Sequence, residues 1–250
     1  YEATLASNSA TFMMKHHYYG GSRSSNESMR ARENIVSSNT VLDIFKGNGY
    51  KTYFLTELPY LLMNRPKIGF DECNFTSDDF PYIGTGLAPY KEIFEPLKKY
   101  ANIDSEVPKF FFIEIFNPKH IDGLDLGENT IELKRIAYQE SLEEANVLLT
   151  KSIQFIKKND PTALVIIMAD HGGYVGMKTT REGNEKTQDR DKIYSIFSSI
   201  LSIHWPNNEV PNFDEKLKTS VNVFRVIFSY LSENEAYLTN LEENSSYIQL

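Results

Sequence analysis

The sequence predicts an α/β protein with a mostly parallel central sheet and helices on both faces. Three observations carry that expectation. Residues 108–116 (PKFFFIEIF) and 163–169 (ALVIIMA) are short, uninterrupted apolar runs, the pattern of strands covered on both faces. Between them, residues 131–158 place Ile136, Leu142, Ala145, Leu148, Leu149, Ile153 and Ile156 at helical spacing. Strand, long helix and strand in that order is the pattern of a crossover joining two parallel strands.

The remaining elements follow from local signals. Residues 1–28 read as a helix start around Phe12, Met13 and Met14 that runs into a polar loop over 20–26. Residues 28–46 carry an imperfect helical stripe of Met29, Ile35, Val36, Leu42, Ile44 and Phe45, ended by Gly47-Asn48-Gly49 as a C-cap. Residues 51–56 (KTYFLT) then form a strand, completing one α/β unit. Residues 57–107 scatter Phe70, Phe75, Phe80, Tyr82 and Tyr90 among Asp, Gly and Pro, as in a long aromatic-packed connection with a short helix near 90–100. After the third strand, 178–192 is charged and poor in large apolar side chains, an exposed loop beside that strand's end. Residues 193–205 read as a further strand, 220–231 as a helix and 237–250 as a polar, irregular tail. No internal repeat and no domain boundary is evident, so 1–250 reads as a single domain.

Composition excludes several classes. A chain of 250 residues with 41% hydrophobic and 24% charged side chains can bury a substantial core and is neither disordered nor fibrous. A net charge of −8 argues against a nucleic-acid partner, which requires a basic stripe. The single cysteine, Cys73, excludes an internal disulfide and a thiolate metal cluster, and reads as a small buried hydrophobe. No apolar run reaches the roughly 18–20 residues that span a bilayer, and no signal peptide is visible. The chain opens on Tyr1-Glu2-Ala3-Thr4 rather than Met, which suggests a processed or truncated piece of a longer polypeptide, leaving open a membrane anchor in the parent.

The chemistry concentrates where the apolar run 163–169 ends in Asp170-His171-Gly172-Gly173. Ligands of open α/β sheets bind beyond the carboxyl ends of such strands. Carboxylate and imidazole together suit zinc or manganese, with calcium or magnesium as alternatives. The paired glycines would let the backbone turn sharply. The competing reading is a helix-capping Asp followed by a loop His. A second polar cluster, Asn117-Pro118-Lys119-His120, ends the run 108–116. His16 and His17 are adjacent and do not share a helix face, so they read as surface or supporting histidines rather than a metal pair. His204 reads as a satisfied strand-end residue, and Lys178, Arg181 and Lys186 as solvated loop charges.

Three segments together resemble the alkaline phosphatase superfamily, in particular the sulfatase-like branch of bacterial envelope phosphoethanolamine and phosphoglycerol transferases. Thr4-Leu5-Ala6-Ser7, followed by Phe12-Met13-Met14, is similar to the nucleophile motif, in which a Thr, Ser or Cys opens a helix and a Ser follows three residues later. Asp170-His171-Gly172 is similar to the metal-binding Asp-His-Gly of that family. The run from Phe110 to His120 is similar to the strand that ends in a substrate-contacting His, and residues 220–225 resemble the closing helix. The resemblance implies an alkaline phosphatase-like α/β fold with Thr4 as nucleophile and His120 beside the transferred group. It also implies Ser7 and Asn117 at the substrate, and a divalent metal held by Asp170, His171 and Thr4. Ser9 and Thr11 are the alternative hydroxyls, and Thr4 also fits a plain helix N-cap.

Two departures from the family pattern matter. Its members carry a further carboxylate ligand on a first strand upstream of the nucleophile, and that strand is expected to be missing here. Formylglycine sulfatases use a Cys/Ser-x-Pro-x-Arg signature, whereas this chain has Thr4, Ala6 and Asn8, which argues against that route. The resemblance implies an extracytoplasmic domain acting on an anionic ester, with transfer of a head group to an envelope glycan or lipid. Plain hydrolysis of a phosphate or sulfate ester is one alternative, and a non-catalytic, sulfatase-like glycan-binding module is the other.

Overall fold

In chain order the elements are α1 (Thr4–Met13), β1 (Tyr18–Tyr19), β2 (Ser22–Arg23), α2 (Ala31–Val36), α3 (Thr40–Gly47), β3 (Lys51–Thr56), β4 (Glu72–Cys73), α4 (Phe94–Ala101), β5 (Lys109–Glu114), α5 (Thr130–Asn159), β6 (Val165–Met168), α6 (Arg190–Phe197), β7 (Leu201–His204) and α7 (Val223–Ser232), with several 3-10 turns between them. The structure is a computed structural model that describes residues 1–19, 22–23, 30–76, 79, 90–103, 106–121 and 127–246. Most of the expected loop 20–26, together with Met29, Phe80, Tyr82 and the last four residues of the tail, lies outside the described residues. The fold is mixed α/β and contains a parallel three-stranded sheet. The chain divides into two compact units. One comprises Tyr1–Ser7, Asn117–Val210 and Ser245–Leu250; the other comprises Asn8–Phe116 and Pro211–Asn244.

The second unit holds the parallel sheet, in the order β4-β3-β5. Its register sets Tyr53 opposite Phe111 and Phe54 opposite Phe112. Both pairs stack, with ring centroids 4.5 and 5.2 Å apart. The aromatic run of β5 is therefore packing material. Phe45 of α3 stacks on Phe110 at 4.1 Å and meets Phe228 of α7 edge-on at 5.1 Å. Tyr53, Phe54, Leu55, Ile35, Val36, Val41 and Val226 are fully buried. Each such side chain contributes about 1.5–3 kcal/mol of burial free energy, which is what holds helix to sheet.

The stripe expected over 28–46 is two helices, because Asn39 interrupts it. Its Oδ1 accepts from Leu42 N at 2.8 Å and caps α3, while its Nδ2 donates to Ile35 O at 3.0 Å. One buried side chain thus satisfies the end of one helix and the start of the next, which makes the break stable. On β4, burial pushes the Cys73 thiol up to about 11. Its thiolate fraction at neutral pH is then roughly a hundredfold below that of an ordinary thiol, so labelling of the native protein by a disulfide reagent should be slower than labelling in denaturant by about that factor. Equal rates would show an accessible, ordinary thiol.

The first unit is built differently from the crossover expectation. α5 does follow β5 and lead to β6, but among the described residues β6 pairs only with β7, antiparallel, with Val165 opposite His204 and Met168 opposite Leu201. All four β6 residues are half-buried rather than buried. Of the apolar stripe on α5, only Ala145 is buried; Ile136 and Leu142 are exposed. The strand expected over 193–205 is α6 followed by β7. Asp189 decides this: its Oδ1 accepts from Asp191 N at 3.0 Å and from Lys192 N at 3.4 Å, capping α6. No helix among the described residues is long and apolar enough to cross a membrane.

Candidate nucleophile and metal site

The first turn of α1 positions the candidate nucleophile. Ser7 N donates to Ala3 O at 2.9 Å, so Thr4 and Ser7 stand one turn apart on the same face. Ser7 is buried, and its hydroxyl donates to the backbone oxygen of Asp170 at 2.6 Å. That fastening sets Thr4 over the Asp170-His171 pair, with Thr4 Oγ1 3.3 Å from His171 Nε2. Residues 167 positions apart in the chain thus meet within a side chain's reach.

The tautomer of His171 follows from its neighbours. Nδ1 lies 2.7 Å from Gly172 O and carries the proton, leaving the Nε2 lone pair facing Thr4. Asp170 Oδ1 accepts from His171 N at 2.9 Å, and Oδ2 is 3.7 Å from His171 Nε2. In a Ser-His-Asp relay the carboxylate holds Nδ1 while the hydroxyl faces Nε2. Here Nδ1 is taken by the backbone, and hydroxyl and carboxylate converge on the same nitrogen. Thr4 Oγ1 and Asp170 Oδ2 thus both lie within 3.7 Å of the same imidazole nitrogen.

His120 lies beside them, its ring stacked on His171 at a centroid distance of 6.0 Å. Its Nδ1 donates to Ile121 O at 2.7 Å, which directs the Nε2 lone pair away from the backbone, and the side chain is exposed. Asn117 is held elsewhere: its amide donates to Glu144 Oε2 on α5 at 2.9 Å. Ser7, expected at the substrate, is buried with its hydroxyl on the Asp170 carbonyl. The alternative hydroxyls Ser9 and Thr11 are buried, and Ser9 Oγ accepts from Asn34 at 3.1 Å. Of the two readings of His16 and His17, surface or supporting, burial removes the first; both are buried in the second unit, with His16 Nε2 2.8 Å from Glu243 O. Lys178, Arg181 and Lys186 are exposed, as their composition implied.

The paired glycines serve close approach, not a sharp turn. Neither adopts a positive φ. A Cβ on Gly172 would stand 2.1 Å from Ser195 O, and one on Gly173 would stand 2.4 Å from the Tyr138 ring. The backbone after His171 is therefore pressed against the end of α6 on one side and against α5 on the other, with Gly172 N donating to Ile196 O at 2.7 Å.

Sequence reasoning missed Tyr174, the next residue. It is buried, adopts φ +59°, and donates its hydroxyl to Glu2 O at 2.7 Å. Burial, with Glu2 and Asp170 adding to it, pushes the phenol up to about 12, so it remains a donor at neutral pH. An aromatic after Gly-Gly was the one available signal, and it does not distinguish a core residue from a site residue.

No protein-family model and no curated protein matches the chain. Among solved structures, the C-terminal periplasmic domain of EcEptC from Escherichia coli matches with a TM-score of 0.55 and 13% identity, covering 80% of this chain and 62% of that one. The same domain in complex with Zn matches at 0.54 and 12%, covering 79% and 63%. The fold is similar to that of the EcEptC periplasmic domain. This chain spans less than two thirds of the EcEptC chains it matches.

The Zn in the EcEptC complex raises whether the residues here suit such an ion. Zinc–ligand bonds of about 2.0–2.1 Å set tetrahedral donors roughly 3.3 Å apart. Thr4 Oγ1 and Asp170 Oδ2, at 3.3 and 3.7 Å from His171 Nε2, match that spacing. The Nδ1–H of His171 is already engaged by a carbonyl, as ligating imidazoles usually are. Among the described residues no group of three His, Cys, Asp or Glu side chains gathers. A carboxylate, an imidazole and a hydroxyl would suit an open site rather than a closed structural one.

Proposed function

We propose that this chain is a metal-dependent phosphotransferase or hydrolase acting on phosphate esters or phosphodiesters through Thr4. The observation that carries the reading is the convergence of Thr4 Oγ1 and Asp170 Oδ2 on the free Nε2 of His171. Asp170, His171 and Thr4 would hold a divalent cation, zinc or manganese, which would lower the pKa of the hydroxyl and polarise the ester oxygen. Thr4 Oγ1 attacks phosphorus, losing its proton to solvent, as the bond from phosphorus to the leaving alcohol breaks. His120 offers Nε2 to the departing oxygen, donating a proton when the ring is charged. Water or an acceptor hydroxyl then attacks the phosphothreonine and frees Thr4. The start of α1 adds a positive dipole end for the anionic group.

Transfer of a phosphoethanolamine- or phosphoglycerol-type head group to an envelope glycan or lipid, outside the cytoplasm, is the version supported by the resemblance and by the likeness to a periplasmic domain. A net charge of −8 disfavours nucleic acid as a partner. Equilibrium dialysis with zinc tests the centre. The wild-type chain should take up one ion, with affinity lowered at least about a hundredfold in the Asp170→Ala, His171→Ala double variant. Equal uptake by both would favour a non-catalytic, anion-binding module. With a chromogenic phosphodiester, product formed in water alone marks a hydrolase, and product that requires an added alcohol marks a transferase.

A further inference from the structure

Tyr174 is built into the site more tightly than a core aromatic requires. Its ring makes T-shaped contacts with both imidazoles, 5.9 Å from His171 and 6.1 Å from His120, each at an interplanar angle of 75°. Its hydroxyl reaches Glu2 O, two residues before Thr4. Its backbone is left-handed, a conformation bulky L residues avoid, and such outliers cluster where surrounding structure over-determines a functional position. Ile121, Met177 and Ile196 pack around the ring. At Gly183 a Cβ would stand 2.5 Å from Tyr174 Cε1, so the neighbouring turn is shaped to the ring as well.

We propose that Tyr174 is the positioning residue of this site: its ring fixes the planes of His120 and His171, and its hydroxyl anchors the backbone that delivers Thr4. A T-shaped contact of one aromatic ring with two others is directional, because the edge of each ring is positive and its face negative. A leucine would keep the position apolar, though smaller, without orienting either imidazole. The hydroxyl performs a separate task, because a phenylalanine would keep the ring contacts and lose only the bond to Glu2 O. The role in catalysis rests on the function proposed above; the structural role does not.

Two variants separate the tasks, each studied in the metal-free chain and with zinc. In Tyr174→Phe, amide exchange at Ser7, the first hydrogen-bonded amide of α1, should speed up about fivefold to tenfold while the ring-nitrogen shifts of His120 and His171 stay at wild-type values. In Tyr174→Leu, those nitrogen shifts should move toward a mixture of tautomers and zinc affinity should fall at least about tenfold. On a phosphodiester, Tyr174→Phe should lower kcat with little change in KM. Wild-type exchange at Ser7 in Tyr174→Phe, or wild-type imidazole shifts in a folded Tyr174→Leu, would overturn the proposal. Should Tyr174→Leu fail to fold, the exchange measurement on Tyr174→Phe decides alone. If the wild-type chain turns over nothing, the reading of function fails, while the exchange and shift measurements still decide the role of Tyr174.

Discussion

Thr4→Ala should reduce turnover of a phosphodiester by at least about a thousandfold, equivalent to about 4 kcal/mol of transition-state stabilisation. The hydroxyl is the only reacting group it removes. Thr4 sits at the first position of α1, and its 3.3 Å contact to His171 is long for an O–H···N bond, so stability should change by less than about 1 kcal/mol. Thermal unfolding should therefore be nearly unchanged, and zinc should still bind through Asp170 and His171. Thr4→Ser, which restores a hydroxyl at the same place, should recover measurable activity. A phosphorylated intermediate trapped by rapid acid quench should map to Thr4 and be absent from the alanine variant. Alanine turning over at the wild-type rate would remove Thr4 as nucleophile and leave the Asp170-His171 pair without a hydroxyl to act on.

The second large effect is expected from a residue with no reactive atom. Gly172→Ala places a methyl group 2.1 Å from Ser195 O and 2.9 Å from the Ile196 carbonyl carbon, both backbone atoms that no rotamer change can move. Ordinary overpacking costs about 1–3 kcal/mol, and a clash with fixed backbone belongs at or above the upper end. For a chain of this size about 3 kcal/mol corresponds to a fall in thermal midpoint of roughly 6–12 °C. Relief requires the 170–174 segment to move away from α6, breaking the Gly172 N to Ile196 O bond and carrying His171 off Thr4. Zinc affinity and turnover should therefore fall along with stability. A variant with wild-type midpoint and wild-type zinc uptake would show that this segment has slack and that close backbone approach does not hold the site in place.

Much of this arrangement was legible in the chain. Apolar run followed by Asp-His-Gly-Gly located the end of β6 and the acid and imidazole that follow it, because a short apolar strand and an abrupt polar stop are encoded locally. The aromatic run of β5 and the helical spacing of α5 were readable for the same reason. What misled was local signal too weak against a side-chain cap. Asn39 splits one expected helix into α2 and α3, and Asp189 turns an expected strand into α6; each does so with hydrogen bonds from a single carboxamide or carboxylate. The pairing of β6 also escaped, since apolar content announces a strand but not whether its neighbour runs parallel or antiparallel.

The sequence by itself determined the chemical inventory: a threonine opening a helix, an acid and an imidazole after a strand, and an acidic surface charge. Only the tertiary structure decided that these groups face one another, that His171 presents Nε2 because Gly172 O holds Nδ1, and that the Ser7 hydroxyl meets the Asp170 carbonyl. It also decided why two glycines follow His171 and brought Tyr174 to both imidazoles. The physical reason is range. Strand, helix and cap preferences act over a few residues and are written in order along the chain, whereas hydrogen bonds, tautomers and close packing between residues 160 or more positions apart exist only once the backbone has closed on itself.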